Sequence, residues 1–190
     1  MSSTQSPSRP AGPPTPMTRQ ALQLAMRVLN LAEVYAKPHD MSQAHAQVAR
    51  CLKAMDDHAS AESFLGKALG WSALIPGVDA KVDLLCELAE VTVSLAELLP
   101  PSGEARAAAL DRCRDHAHEA TRLASHTTDP KWEVTVLLRI SDVLGRCGDH
   151  DEAKQVQDRA FTLLGLEPDP SADGGPPADV LLAAAPSQLM

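Results

Sequence analysis

The feature that most constrains this chain is a pattern that occurs twice, with an offset of 92 residues. Each copy has apolar residues at intervals of three and four, then an Asp-His pair, then small residues spaced for close helix contact. The matching pairs are Pro38 and Pro130, Leu52 and Leu144, Asp57 and Asp149, His58 and His150, Ala61 and Ala153, and Ala68 and Ala160. Agreement at all these positions predicts one helix–turn–helix unit in two copies, over residues 41–74 and 130–168.

The turn of the second copy has residues suited to a change of direction. Gly148 fits the left-handed position that ends a helix. Asp149, with Glu152 three residues later, is a variant of the capping box that opens a helix. Asp129-Pro130 places a capping residue before a proline at the start of the unit. We therefore predict two antiparallel helices joined at Gly148-Asp149.

These hairpins resemble the tetratricopeptide repeat, which has small and large apolar residues at set positions of two antiparallel helices. The slots of that pattern hold Leu137, Ile140, Ser141, Leu144, Ala153, Gln157 and Ala160 in one copy, and His45, Val48, Ala49, Leu52, Ala61, Leu65 and Ala68 in the other. The aromatic residues of the family pattern are absent from these slots, and His45 and Gln157 depart from it. The resemblance implies an all-α, right-handed superhelix of about three helical hairpins.

The remaining chain predicts one extra helix and a longer middle hairpin, giving about seven helices. The first helix, 17–37, has apolar residues on two sides, which suggests burial on both. Asp40 and Gln43 form a capping pair for the second helix, and the fourth and fifth helices span 80–99 and 104–125. We expect a disordered tail over 1–16, a repeat domain over 17–167 and a flexible tail over 168–190, with an apolar run at 180–185.

Composition restricts the class of partner and the compartment. A net charge of -8 argues against nucleic-acid binding, which needs a basic face. No apolar run approaches the ~18 residues of a spanning helix, so we expect no membrane segment. Four scattered cysteines without paired spacing favour a reducing compartment, and we expect a cytoplasmic protein.

Two sets of residues suggest chemistry, and each has a simpler explanation. Cys113 and His116 could share a metal, but His118 lies on nearly the opposite side of the same helix, so the ligands do not converge. The acidic residues and histidines at 56–58 and 149–151 could act as acid–base groups, but their matching places at two turns indicate helix capping. We expect no catalytic, cofactor-binding or metal-binding residues, and no enzyme.

The family resemblance places partner binding on the concave face, which the first helix of each hairpin supplies. Counted from the packing stripe, the partner-binding candidates are Gln43, Arg50, Lys53, Asp83, Glu90, Arg139, Asp142 and Arg146. Cys86 and Leu138 fall on the same side by register. The clamp for a terminal carboxylate in chaperone-binding members needs Lys and Asn where this chain has Ala46 and Arg50, so that clamp is not present. A mixed groove could still hold an acidic or amphipathic peptide, and the alternative is that these are solvated helix residues.

The resemblance therefore implies a non-catalytic scaffold that binds a protein or peptide partner. A narrower possibility is a small chaperone or adaptor for a secreted or regulatory protein. A metal-binding or enzymatic helical protein is the third alternative. A homo-oligomer is also open, through the Leu- and Val-rich fourth helix.

Overall fold

A computed structural model describes residues 15–166 of the chain, and within this range the protein is all-α, as the sequence predicted. The seven helices are α1 (Pro16–Tyr35), α2 (Pro38–Lys53), α3 (His58–Ser72), α4 (Asp79–Leu98), α5 (Glu104–Ala124), α6 (Pro130–Cys147) and α7 (His150–Leu163). The C-terminal tail and its apolar run at 180–185 lie outside the described residues, as does most of the N-terminal tail. No helix in the described range combines the length and apolarity needed to cross a bilayer.

The helices form two layers. Each helix packs against the next one in the chain, and α4 also packs against α6. Ion pairs join alternate helices: Arg50 to Glu87 between α2 and α4, Arg139 to Glu90 between α4 and α6, and Arg112 to Glu62 between α3 and α5. A contact from His118 to Glu152 joins α5 and α7. Thus α2, α4 and α6 lie side by side in one layer, and α3, α5 and α7 lie in the other.

The first and last hairpins have the same turn, 92 residues apart. In the first, the backbone N–H of Asp57 donates to the carbonyl of Leu52 at 3.0 Å. In the last, the N–H of Asp149 donates to the carbonyl of Leu144, also at 3.0 Å. The residue before each aspartate is left-handed, with a φ of 60° at Asp56 and 90° at Gly148. The start points of the helices also correspond, at Pro38 and Pro130 and at His58 and His150.

Two of the predicted caps are wrong. Asp149 precedes α7 but makes no capping hydrogen bond, because its carboxylate accepts from Arg114 at 2.7 Å instead. The helix predicted to open at Asp40 begins at Pro38, since proline already has the φ of a first helical residue. By contrast, Asp57 caps α3 by accepting from the N–H of Ser60 at 3.1 Å, and Asp129 caps α6.

The central helix of the core is α4, which is buried on almost every side. Its buried residues include Val82, Leu85, Leu88, Val91 and Val93. These side chains pack against both neighbouring hairpins and therefore cannot serve as a contact surface for a second copy. Self-association through other residues of α4, which the sequence left open, stays a prediction.

The expectation for α1 is also wrong in part. One side, with Ala25, Leu29 and Ala32, is buried against α2. The second apolar side remains exposed, because α1 lies at the end of the helix order and only one layer covers it.

Candidate partner-binding face

The eight predicted residues line two depressions on the layer formed by α2, α4 and α6. The first groove lies between α1, α2 and α4, has a volume of about 720 Å³ and includes Gln43, Arg50 and Asp83. The second groove lies between α2, α4 and α6 and has a volume of about 510 Å³. It is lined by Lys53, Glu90, Ser94, Leu138, Arg139, Asp142 and Arg146. The structure thus brings together on one face residues from three separate helices, as the register predicted.

Glu90 lies at the centre of the second groove and pairs with a cation from each side. The Nζ of Lys53 on α2 is 2.7 Å from its carboxylate, and the Nη2 of Arg139 on α6 is 2.8 Å away. Burial alone would raise the pKa of Glu90, but hydrogen bonds from these two cations outweigh that effect and lower the pKa. Glu90 is therefore charged near neutral pH and joins all three helices of the layer.

The other cations of this face are paired in the same way. Arg50 donates to Glu87 at 2.6 Å. Arg146 donates to Glu97 at 2.8 Å and to the hydroxyl of Ser94 at 2.9 Å. These carboxylates hold the pKa values of Arg50 and Arg146 above the ordinary value for arginine, chiefly through their hydrogen bonds.

Asp83 is the fourth carboxylate of α4 on this face, and its environment differs. Burial raises its pKa, although Arg139 lies 3.7 Å away and acts in the opposite direction. Together with Asp83, the carboxylates of Glu87, Glu90 and Glu97 form an acidic row along one side of α4, which we call the α4 acidic row.

The candidates predicted from the sequence do not include Glu87 and Glu97, which complete this row. A signal was present, because the intervals from Asp83 through Glu97 are four, three and seven residues and place all four carboxylates on one helical side. The basic residues of α2 and α6 were assigned to a ligand. In the structure they meet this row instead, and four carboxylates match four cations.

The apolar part of the face is limited and specific. Leu138 of α6 is 40% exposed in the second groove. Val28, Leu31 and Tyr35 of α1 form one wall of the first groove. Cys86, which the register also placed on this side, is buried in the core, and burial raises the pKa of its thiol to about 12.

Cys113 and His118, two of the residues that suggest a metal site in the sequence, have other contacts. Cys113 donates a hydrogen bond to the carbonyl of Ala89, and the Sγ of Cys147 lies 3.3 Å from the Sγ of Cys113. His118 contacts Glu152 at 2.7 Å, on a different side of α5. Between residues 15 and 166, no three His, Cys, Asp or Glu side chains are arranged to hold a metal ion.

No protein-family model matches this sequence, and no curated protein matches it. The resemblance to the tetratricopeptide repeat therefore depends on the residue pattern described above.

Proposed function

We propose that this protein is a non-catalytic scaffold of the tetratricopeptide type, which binds a peptide or protein partner on the face formed by α2, α4 and α6. The two-layer arrangement of hairpins is compatible with a right-handed superhelix, in which this face would be concave. The observation that carries the proposal is that all eight residues chosen from the register line the two adjacent grooves. Four unpaired thiols in the described range accord with a reducing compartment such as the cytoplasm.

The charge pattern favours an amphipathic partner over a uniformly acidic one. The cations of this face are already paired with the α4 acidic row, so an acidic peptide would have to displace those carboxylates. The peptide would also be repelled by the same carboxylates at close range. A segment with an apolar side chain for Leu138, flanked by polar groups of both signs, would leave the ion pairs in place. We therefore assign specificity to this exposed leucine and to Asp142 beside it.

The experiment compares two glutamate substitutions at leucines of equal exposure. Leu138 in the second groove and Leu163 at the end of α7 are each 40% exposed, so neither Leu138→Glu nor Leu163→Glu should unfold the protein. Each variant and the parent are immobilised, exposed to a lysate of the cells the protein comes from, and their bound proteins quantified by mass spectrometry.

A partner that is retained by the parent and by Leu163→Glu, but lost by Leu138→Glu, supports binding in the second groove. Equal capture by both variants, or no protein enriched by the parent, contradicts the proposal. The class of the captured protein also decides the narrower alternative, since a secreted or regulatory client would indicate a chaperone or adaptor role.

A further inference from the structure

A row of exposed apolar side chains runs the whole length of α1. Met17, Leu24, Val28, Leu31 and Tyr35 are 55–79% exposed, and Ala21 completes the row. The intervals between the six residues are four, three, four, three and four. This is the spacing of the two apolar positions of a heptad, which place a seam along one side of a helix. We call these six residues the α1 row.

The α1 row is distinct from the side of α1 that faces the core. The buried residues Ala25, Leu29 and Ala32 contact α2 on an adjacent side of the helix. Packing within the described chain therefore does not account for the row. A heptad seam of about 27 Å along the helix, exposed at every position, is the pattern of a helix that pairs with another helix.

We propose that the α1 row is the interface of a homodimer, in which α1 packs along α1 of a second copy of this chain. The inference goes beyond the proposed partner binding. Val28, Leu31 and Tyr35 also wall the first groove, but no residue of the row lines the second groove, where the Leu138 comparison tests partner binding. In heptad terms Leu24 and Leu31 occupy d positions and Val28 occupies an a position. Large apolar residues at the a and d positions form the seam between paired helices.

The row is complementary to itself in an antiparallel pair. Its midpoint is Met26, so a two-fold axis there places Met17 of one copy opposite Tyr35 of the other. By the same alignment Leu24 of one copy lies opposite Val28 of the other. Every a position of one copy then lies opposite a d position of the other, so the same row of residues can form both sides of the interface.

The exposed apolar area of α1 approaches what each partner contributes to a stable dimer. Six large apolar residues of α1, namely the five large members of the row and the neighbouring Val34, have exposures of 55–79%. Together they present roughly 700 Å², close to the ~800 Å² that each partner contributes to a standard interface. Arg27 is the one charged residue beside the seam between 17 and 35, and its long side chain can extend to the rim.

A segment of the same chain is a poorer occupant on grounds of length. The apolar run outside the described residues, 180–185, has six residues. Even a fully extended run of that length reaches only about 20 Å, which is less than the length of the row.

The test measures the mass of the full-length chain in solution by analytical ultracentrifugation over a wide range of concentrations. Leu31→Glu places a charge in the seam of both copies, and its control is Leu98→Glu, at an exposed leucine of α4 outside the row. Leu31 is 62% exposed and Leu98 is 67% exposed, so both variants should keep the circular dichroism spectrum of the parent.

We expect a dimer for the parent and for Leu98→Glu, and a dissociation constant raised by at least about tenfold for Leu31→Glu. Leu24→Glu should act in the same way and serves as the second variant if Leu31→Glu does not fold. A parent that is monomeric at every concentration overturns the proposal, as does a dimer that Leu24→Glu and Leu31→Glu leave intact. A monomer whose captured partner is lost with Leu31→Glu assigns the row to another protein and also overturns it. None of these outcomes affects the Leu138→Glu comparison, so the two proposals can fail separately.

Discussion

The two equivalent hairpin turns give a pair of substitutions with opposite expected effects on stability. Gly148 ends α6 with a φ of 90°, and Asp56 occupies the corresponding place in the first turn with a φ of 60°. A Cβ built at Gly148 meets no atom within 4 Å. Steric contact is therefore not an issue at Gly148, and the effect of Gly148→Ala arises from backbone conformation.

The magnitude follows from two opposing contributions. A left-handed conformation costs a residue with a Cβ about 1–2 kcal/mol, whereas replacing glycine reduces the entropy of the unfolded chain by about 0.4–1 kcal/mol. Gly148→Ala should therefore destabilise the protein by about 1 kcal/mol. Asp56→Gly should stabilise it by about 0.5 kcal/mol, since aspartate tolerates this conformation better than alanine does.

The control is Gly66→Ala in the middle of α3, where a Cβ again meets nothing within 4 Å and no positive φ is present. This change should stabilise the protein by about 0.5–1 kcal/mol, because alanine is favoured in a helix interior. Urea unfolding followed by circular dichroism measures all three free energies. If Gly148→Ala stabilises the protein as Gly66→Ala does, or Asp56→Gly destabilises it, the two turns do not have the equivalent left-handed geometry on which the reasoning depends.

Other changes test the core, the ion pairs and the cysteine pair. Leu137→Ala, at a fully buried site, should lower the free energy of unfolding in urea by about 2–5 kcal/mol. Leu138→Ala, at an exposed site, should change it by no more than about 0.5 kcal/mol. Similar losses for both variants would contradict the assigned packing. The lowered pKa of Glu90 means that its carboxylate stabilises the fold above pH 4.5 and loses this contribution as the pH falls. Glu90→Gln should therefore weaken the acid dependence of unfolding, and an unchanged pH profile would count against the pairing. Because their Sγ atoms are 3.3 Å apart, Cys113 and Cys147 should be joined by the thiol oxidant diamide; a peptide map without that cross-link would be inconsistent with the contact.

Much of the fold could be predicted from local patterns. The helix start at Pro130, the left-handed Gly148 and the cap at Asp57 all depend on residues within a few positions of one another. The 92-residue offset then implied that the two hairpins were equivalent, and their turns have the same hydrogen bonds. The family assignment, the superhelical sense and the partner stay predictions.

Some of the errors arose where a distant residue competed for a side chain. The sequence predicts that Asp149 caps α7, but its carboxylate accepts a hydrogen bond from Arg114, which lies 35 residues earlier in the chain. The residues chosen for the candidate face do lie together on α2, α4 and α6, yet the charge of this face could not be judged from the cations alone. Glu87 and Glu97 neutralise Arg50 and Arg146, and that pairing depends on how α4 lies between its neighbours.

The sequence by itself determined approximately where each helix begins, where the chain turns and which sides of each helix are apolar, because these properties depend on neighbours along the chain. Only the tertiary structure decided which apolar sides are covered. The stripes of α4 are enclosed by hairpins before and after it, whereas the α1 row has no such neighbour among residues 15–166 and remains exposed there. The physical reason is that burial and ion pairing depend on contacts between helices far apart in sequence, and periodicity within one helix carries no information about its neighbours in space.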